Sequence, residues 1–247
     1  MTPGACFVGC AGWSLAGDVQ TQFGEGASHL QRYASRLNAV EINSSFYRPH
    51  RRATYERWAA SVPRDFRFCV KLPKAITHER RLAACDGLLQ DFFGQAGGLG
   101  EKLGCLLVQM PPSLAFEATA ADAFFRSLRK VHAGHAAVEP RHHSWFGAEA
   151  GALLGAHGLA RVLADPVLFD EGRQPGGWDQ LVYVRPHGSP RMYYSAYAPE
   201  LLERLALRIA MAQAEGRAVW CMFDNTASGA ATHNALALSA TLAQDTP

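Results

Sequence analysis

The feature that most constrains this chain is the alternation of short apolar runs with longer amphipathic segments along its whole length. The short runs have the composition of buried parallel strands, and the longer segments have helical periodicity. We predict strands at residues 6–11, 39–43, 66–72, 105–109, 136–139, 161–164, 181–185 and 218–223. We predict helices at residues 26–37, 53–61, 84–99, 120–130, 146–156, 199–213 and 229–243. Strand–helix alternation of this kind predicts a parallel sheet with crossover helices.

The number of strands narrows the fold further. Eight strands in 247 residues fit a closed (β/α)8 TIM barrel better than an open doubly wound sheet. The chain contains no repeat, low-complexity tract or flexible linker, so we predict a single domain over residues 1–247. Residues 166–180 hold two prolines and three glycines, which oppose a full helix. The sixth crossover is therefore predicted to be a loop.

Composition excludes several classes of protein. Lys and Arg number 24 against 22 Asp and Glu, which excludes the strongly basic chain of a dedicated non-specific DNA binder. No apolar run approaches the roughly 18–20 residues that span a bilayer, and no positively charged segment precedes an apolar stretch at the N-terminus. We therefore expect a cytoplasmic protein with no membrane partner. The six cysteines lack CxxC or zinc-site spacing and are expected to be buried, reduced thiols.

Polar residues stand at the C-terminal ends of the predicted strands. Side chains alternate between the two faces of a strand, so a polar residue among apolar neighbours can point into the mouth of the barrel. The residues isolated in this way are Glu41, Asn43, Lys71, Gln109, Glu139, Arg141, Asp165, Arg185, His187 and Asp224. The first strand delivers Trp13 as an aromatic wall. Barrel enzymes place their chemistry at this end, so we predict one polar pocket there.

The residue types in this pocket suggest roles. Lys71, Arg141 and Arg185 are candidate anion ligands, because a guanidinium offers two parallel donors to an oxyanion. The candidate catalytic acids and bases are Glu139, Asp165, His187 and Asp224. The other predicted ligand-binding residues are Trp13, Glu41, Asn43, Gln109 and Asn225. The alternative is that these charges are ion pairs that close the top of the barrel.

Two further features allow more than one interpretation. Oxygen and nitrogen ligands on four successive strands suit Mg, Mn or Zn, but neighbouring arginines compete for the same carboxylates, so we assign no metal ligand and no cofactor. A second feature is a basic lip formed by Arg51, Arg52, Arg80 and Arg81, suited to an acidic ligand or simply solvated. Aromatic residues in the loops, among them Phe46, Tyr193 and Tyr194, are suited to stacking on a sugar or base, or to packing as a hydrophobic lid.

The ordered motifs resemble those of a known family. They are CAGW (10–13), VEINSSFYRP (40–49), FRFCVKLPKAITH (66–78), QMPP (109–112), VEPRH (138–142), SWF (144–146), VRPHG (184–188) and FDNTA (223–227). In this order they resemble the DUF72 family of YecE-like proteins over nearly the whole chain. The resemblance implies a TIM barrel and a soluble, bacterial-type protein, and it implies no activity. Pro186 stands where an apolar residue is more familiar, and a residue without an N–H should mark the last rung of its strand.

Two hypotheses of function follow. The leading one is a cytoplasmic hydrolase that binds a small or nucleotide-like anionic ligand in the polar pocket. The alternative is a non-catalytic protein that binds nucleic acid or a phosphorylated ligand through the basic lip. A steep dependence of affinity on salt would favour the second, because such a lip contacts several phosphates.

Overall fold

The computed structural model describes residues 3–15 and 17–244 as an α/β fold with parallel sheets. The strands are β1 Cys6–Cys10, β2 Ala39–Ile42, β3 Arg67–Lys71, β4 Leu103–Gln109, β5 His135–Glu139, β6 Ala160–Arg161, β7 Leu163–Asp165, β8 Gly176–Gly177, β9 Leu181–Pro186 and β10 Ala218–Phe223. The helices are α1 His29–Tyr33, α2 Ser44–Tyr47, α3 Arg52–Ala60, α4 Asp86–Ala96, α5 Ala118–Val131, α6 Ala148–Ala156, α7 Pro199–Ala214 and α8 Ala230–Gln244. The predicted α/β class with parallel strands and the alternation of strands with helices are confirmed.

The strands form two sheets. One has the order β1-β10-β9-β7 and the other the order β2-β3-β4-β5-β6-β8. Neighbouring strands pair in parallel except β6 and β8. The predicted strand 161–164 is divided at Val162 between β6 and β7. As predicted, residues 166–180 contain no α-helix; a 3-10 turn at Asp170–Arg173 and the short β8 connect β7 to β9.

Backbone hydrogen bonds join the two sheets at two places. Gly12 N–H donates to the carbonyl of Glu41 at 2.9 Å, which brings the end of β1 beside β2. Val162 N–H donates to the carbonyl of Val138 at 2.9 Å, so the link between β6 and β7 stays paired with β5. The approach of β1 to β2 requires glycine at position 9, where a Cβ would lie 2.0 Å from the carbonyl oxygen of Ala39.

The buried apolar side chains form two clusters on opposite faces of the strands. The helix-side cluster packs strand residues such as Val40, Ile42, Val219 and Cys221 against the helices. The inner cluster draws on both sheets and comprises Ala39, Cys69, Cys105, Leu107, Ala137, Ala160, Val162, Leu181, Tyr183, Trp220 and Met222. Alternate strand residues belong to alternate clusters, as the two-residue period of a strand requires.

The cysteines lie within or beside these clusters. All six thiols are free; five are buried and Cys6 is half-buried. Burial raises the pKa of Cys10 to about 12, so this thiol is protonated at neutral pH. Within residues 3–15 and 17–244, no helix combines the length and apolar character needed to cross a lipid bilayer.

Candidate functional site

Charged side chains meet at the C-terminal ends of the strands. Glu41, Lys71, Glu139, Arg185 and Asp224 each lie two residues beyond a member of the inner cluster, so their side chains continue that face toward the strand ends. Together with two residues just beyond strand ends, Arg141 and His187, they form what we call the charged cluster. The sequence-based expectation that distant polar residues converge is thus met by these seven.

Arg185 occupies the centre of the charged cluster and is 1% exposed. Its Nη2 and Nε donate to the two oxygens of Glu41 at 2.7 and 3.0 Å, a bidentate pair. Its Nη1 lies 3.1 Å from an oxygen of Glu139 and 3.1 Å from one of Asp224. These three carboxylates raise the pKa of Arg185 well above its ordinary value, although burial by itself lowers it.

His187 lies between two of the same carboxylates. Its Nε2 is 2.7 Å from Glu139 Oε1, and its Nδ1 is 2.9 Å from Asp224 Oδ2. Only the doubly protonated imidazolium donates from both nitrogens. Burial lowers the pKa of His187, but the hydrogen bonds to Asp224 and Glu139 outweigh burial, and the pKa is raised. His187 therefore acts as a second buried cation.

The charged cluster holds Glu139 and Asp224 in their ionised form. Burial raises the pKa of Glu139, but the charge of Arg185 and the hydrogen bond from His187 outweigh it, so the pKa lies well below its ordinary value. The pKa of Asp224 is lowered for the same reasons. Oδ2 of Asp224 accepts from the cluster, whereas Oδ1 has no hydrogen-bond partner among the described residues. With its side chain 12% exposed, Asp224 is the carboxylate nearest to solvent in the charged cluster.

Two cations lie at the solvent-exposed edge of the charged cluster, Lys71 and Arg141, the latter with its side chain 13% exposed. Lys71 is 9% exposed, and its Nζ lies 4.2 Å from the ring centroid of Phe46. No carboxylate of the described residues forms an ion pair with it, and burial and the charge of Arg185 lower its pKa. Arg141 donates from Nη2 to Glu139 at 2.8 Å, while its buried Nε finds no partner in the described part of the chain. Four cations therefore face three carboxylates, and the unpaired one is Lys71.

Several predicted site residues lie outside the charged cluster. Asp165, a predicted catalytic residue, lies apart from the charged cluster, because Ala160, Val162 and Ala164 take the inner face and Asp165 is on the other one. Its carboxylate instead accepts from the Tyr197 hydroxyl at 2.6 Å.

Trp13 also differs from expectation. Gly12 has a φ of +98°, the chain turns after β1, and Trp13 packs edge-on against Trp58 with 5.1 Å between ring centroids. It lines a separate cavity of about 300 Å³ with Ser28 and Arg57. Trp13 is therefore not a wall of the charged cluster.

The three predicted amides have local roles. Gln109 continues the inner face, but its Nε2 donates to the carbonyl of Met110 at 2.9 Å. Asn225 is on the other face from Asp224, and its Nδ2 donates to Ser195 and Asn234, each at 2.9 Å. Asn43 follows β2 at the start of α2, and its buried Oδ1 has no partner in the residues described.

Sequence reasoning missed two participants. The Tyr183 hydroxyl donates to Glu41 Oε2 at 2.8 Å and lies 3.2 Å from the sulfur of Cys69. Tyr183 is two residues before Arg185, so the same period of two that selected Arg185 also places Tyr183 on its face. Phe46, recognised only as a loop aromatic, forms the wall beside Lys71.

The basic lip has fewer free donors than its sequence suggests. Arg52 binds Glu56 at 2.9 Å and the carbonyl of Gly94 at 3.2 Å. Arg81 binds the hydroxyl and the carbonyl of Ser113 at 3.0 and 2.8 Å. Arg51 and Arg80 are exposed.

The side chains of the charged cluster are not arranged as metal ligands. Within the described residues, no group of three or more His, Cys, Asp and Glu side chains has an arrangement suited to a metal ion. Both ring nitrogens of His187 face carboxylates, and a metal would have to displace those hydrogen bonds.

Comparison with known proteins places the chain in a family. The family model described as "Protein of unknown function DUF72" matches residues 7–247. The chain belongs to the DUF72 family. This DUF72 protein is 31% identical over 165 residues to the UPF0759 protein YecE of Escherichia coli (strain K12), covering 64% of this chain and 58% of that protein. It thus spans less than two thirds of the length of that relative.

Other relatives match over nearly their whole length. The UPF0759 protein YunF of Bacillus subtilis (strain 168) is 23% identical over 259 residues, covering 92% of this chain and 91% of that protein. The crystal structure of a DUF72 family protein (TM1631) from Thermotoga maritima MSB8 superposes with a TM-score of 0.81 at 26% identity, covering 97% of this chain and 99% of that one. A DUF72 family protein (EF0366) from Enterococcus faecalis V583 gives a TM-score of 0.79 at 20% identity, covering 98% and 99%. None of these names states an activity.

Proposed function

We propose that this DUF72 protein is a cytoplasmic hydrolase that binds a small anionic ligand between Lys71 and Arg141. The observation that carries the proposal is the environment of Lys71, which is nine-tenths buried and has no carboxylate partner among the described residues. Glu41, Glu139 and Asp224 offset the charge of Lys71 only from beyond ion-pair distance, and an anionic ligand would give this buried cation a direct partner. Six free thiols support a reducing compartment such as the cytoplasm.

We also propose that the two sheets form one (β/α)8 barrel. Three observations support it: the backbone bond from Gly12 to Glu41, the pairing of Val162 with β5, and an inner cluster built from both sheets. The charged cluster then lies at the C-terminal face of the barrel, where such folds carry their binding sites.

In the proposed hydrolysis, the role of each residue in the charged cluster follows from how deeply its side chain is buried. Asp224 is ionised, and its Oδ1 is available to accept a proton from a water molecule whose oxygen bonds to the phosphorus of a bound phosphate ester. The bond from phosphorus to the alcohol oxygen breaks, and the departing alcohol takes up the proton from Asp224, leaving inorganic phosphate or a monoester. A carboxylate with a lowered pKa is a weak base, so the larger contribution falls to Lys71 and Arg141, which stabilise the charge that grows on the anion. Glu139 and His187 position Asp224 and Arg141 and do not touch the ligand.

Inorganic phosphate titrated into the protein in a calorimeter tests the anion site. We expect Lys71→Met to weaken phosphate binding by about 10- to 100-fold, the effect of losing a hydrogen bond to a charged group. The matched control is Lys74→Met, because Lys74 is exposed and paired with Glu79 at 3.2 Å. Equal affinity in Lys71→Met and wild type, or no phosphate binding by wild type, would overturn the anion site.

Hydrolysis has its own test. Wild-type protein should cleave 4-nitrophenyl phosphate or its diester, and Asp224→Asn should lose that activity while it retains phosphate binding. Binding without cleavage by wild type would overturn the hydrolase assignment and leave the anion site standing.

The alternative of nucleic-acid binding through the basic lip is distinguished by salt. If oligonucleotide binding weakened steeply with salt and was unchanged by Lys71→Met, Arg51 and Arg80 would be the site. The contacts of Arg52 and Arg81 within the protein leave this lip fewer donors for phosphates.

A further inference from the structure

Tyr193 is fixed to the strand ends that carry the charged cluster. It lies in the connection from β9 to α7 and has a φ of +69°, a left-handed conformation that is unfavourable for a residue with a side chain. Its N–H donates to the carbonyl of His187, and its carbonyl accepts from Ala227 N–H at 3.0 Å. His187 follows β9 and Ala227 follows β10, so both backbone groups of Tyr193 are anchored beside the cluster.

The phenol ring of Tyr193 packs edge to face with the imidazole of His187. The two ring centroids are 5.7 Å apart, with the planes at 87°. His187 is 1% exposed and Tyr193 is 40% exposed, so the phenol joins the buried imidazolium to the protein surface. No side chain or backbone group of the described residues binds the Tyr193 hydroxyl.

Tyr193 differs in this respect from the aromatic residues near it. The ring of Tyr194 is covered by the guanidinium of Arg191 at 3.9 Å. Phe46 is half-buried and contacts Lys71, Tyr47 and His78. Among these three rings, Tyr193 is the one that is both exposed and in contact with a residue of the charged cluster without a cation on its face.

Tyr193 also lies close to the anion site. His187 Nε2, on the ring that Tyr193 contacts, is 3.3 Å from Arg141 Nη2. A ligand whose charged group is held by Arg141 and Lys71 therefore has the Tyr193 ring within reach of its uncharged part.

We propose that the ligand is an anion that carries a planar ring, of the nucleoside monophosphate class, and that Tyr193 is the residue that stacks on the ring. The inference rests on the proposed anion site. Stacking of a base on an aromatic side chain contributes about 5- to 150-fold in affinity, and it tolerates different bases because each has a π face.

The test compares inorganic phosphate, ribose 5-phosphate and adenosine monophosphate by calorimetry. Wild type should bind adenosine monophosphate at least 5-fold more tightly than ribose 5-phosphate. Tyr193→Ala should bring that ratio close to one and leave phosphate affinity within about 2-fold, while Tyr193→Phe keeps the ratio. Tyr194→Ala, at a neighbouring residue of similar exposure, should behave as wild type.

The outcomes separate this inference from the anion site. Phosphate binding with a wild-type ratio near one would overturn the ring site alone. An equal loss of phosphate and nucleotide affinity in Tyr193→Ala would show that Tyr193 only maintains the loop, and would also overturn it. Absence of binding to all three probes would overturn both proposals.

Discussion

Replacing Arg185 with methionine removes a cation that three buried carboxylates share. The guanidinium makes two hydrogen bonds to Glu41, at 2.7 and 3.0 Å, and contacts Glu139 and Asp224 at 3.1 Å each. Removing one partner of a buried ion pair costs about 3–5 kcal/mol, because the remaining charge is left without compensation. For a chain of this size, each kcal/mol lowers Tm by about 2 °C. We therefore expect Arg185→Met to lower Tm by about 6–10 °C in scanning calorimetry.

The pH dependence of this loss identifies its cause. A carboxylate stranded by the substitution can take up a proton, so the loss should be smaller at pH 5 than at pH 8. Adding Glu41→Gln removes one stranded charge and should restore part of the stability. The control is Arg173→Met, whose pair with Asp170 is 68% and 87% exposed and contributes about 1 kcal/mol or less. Equal losses for the two arginines, or a loss independent of pH, would refute the reasoning.

Three further predictions follow from the structure. The raised pKa of His187 adds stability that is complete below the ordinary histidine pKa of about 6.5 and is lost as pH rises through the pKa of His187 in the folded protein. The lowered pKa of Asp224 adds stability that is present above the ordinary aspartate pKa of about 4 and is lost as pH falls through the pKa of Asp224 in the folded protein. A series of Tm values against pH should thus peak between these limits, and His187→Gln should flatten the alkaline decline. Because the pKa of Lys71 is lowered, Lys71 should lose its charge, and the protein its affinity for phosphate, at a lower pH than an ordinary lysine would allow. In a calorimetric series against pH, Lys71→Arg should move this loss of affinity to higher pH. Gly9→Ala, whose Cβ would meet the backbone of β2, should be strongly destabilising in chemical denaturation, whereas Gly151→Ala in α6 has open space and should stabilise by up to about 1 kcal/mol.

The sequence predicts the strands well because each is an apolar run bounded by polar or turn residues. It predicts helix ends less well, and residues 26–37 show why. The α-helix covers only His29–Tyr33, since the Ser28 hydroxyl accepts from Gln31 N–H at 3.2 Å and starts the helix there. Ser28 is a favourable N-cap residue, so this boundary was readable from the sequence. At the other end, Ala34 to Leu37 continue as hydrogen-bonded turns, which apolar spacing does not distinguish from helix.

The period of two in strands identified most of the charged cluster but could not identify the pairs within it. Asp165 shows the limit, because a strand divided at Val162 has no unambiguous register in the sequence. Its partner Tyr197 lies 32 residues away, and a contact of that kind comes only from the tertiary fold. Gln109 shows a second limit: it is on the predicted face, yet its amide turns back to its own neighbour in the chain.

The two interpretations of the strand-end charges, an ion network and a binding site, apply at different depths of the same cluster. In the buried part of the cluster, Arg185 and Tyr183 donate hydrogen bonds to Glu41, and all three side chains are shielded from solvent. A buried ion network of this kind is no more stabilising than well-packed apolar residues would be. The network fixes the carboxylates that hold His187 and Arg141, and it thereby sets the positions of the side chains at the exposed edge of the cluster. At that edge Lys71 has no carboxylate of the described residues within ion-pair distance, which is why we propose ligand binding at the edge and a positioning role for the buried part.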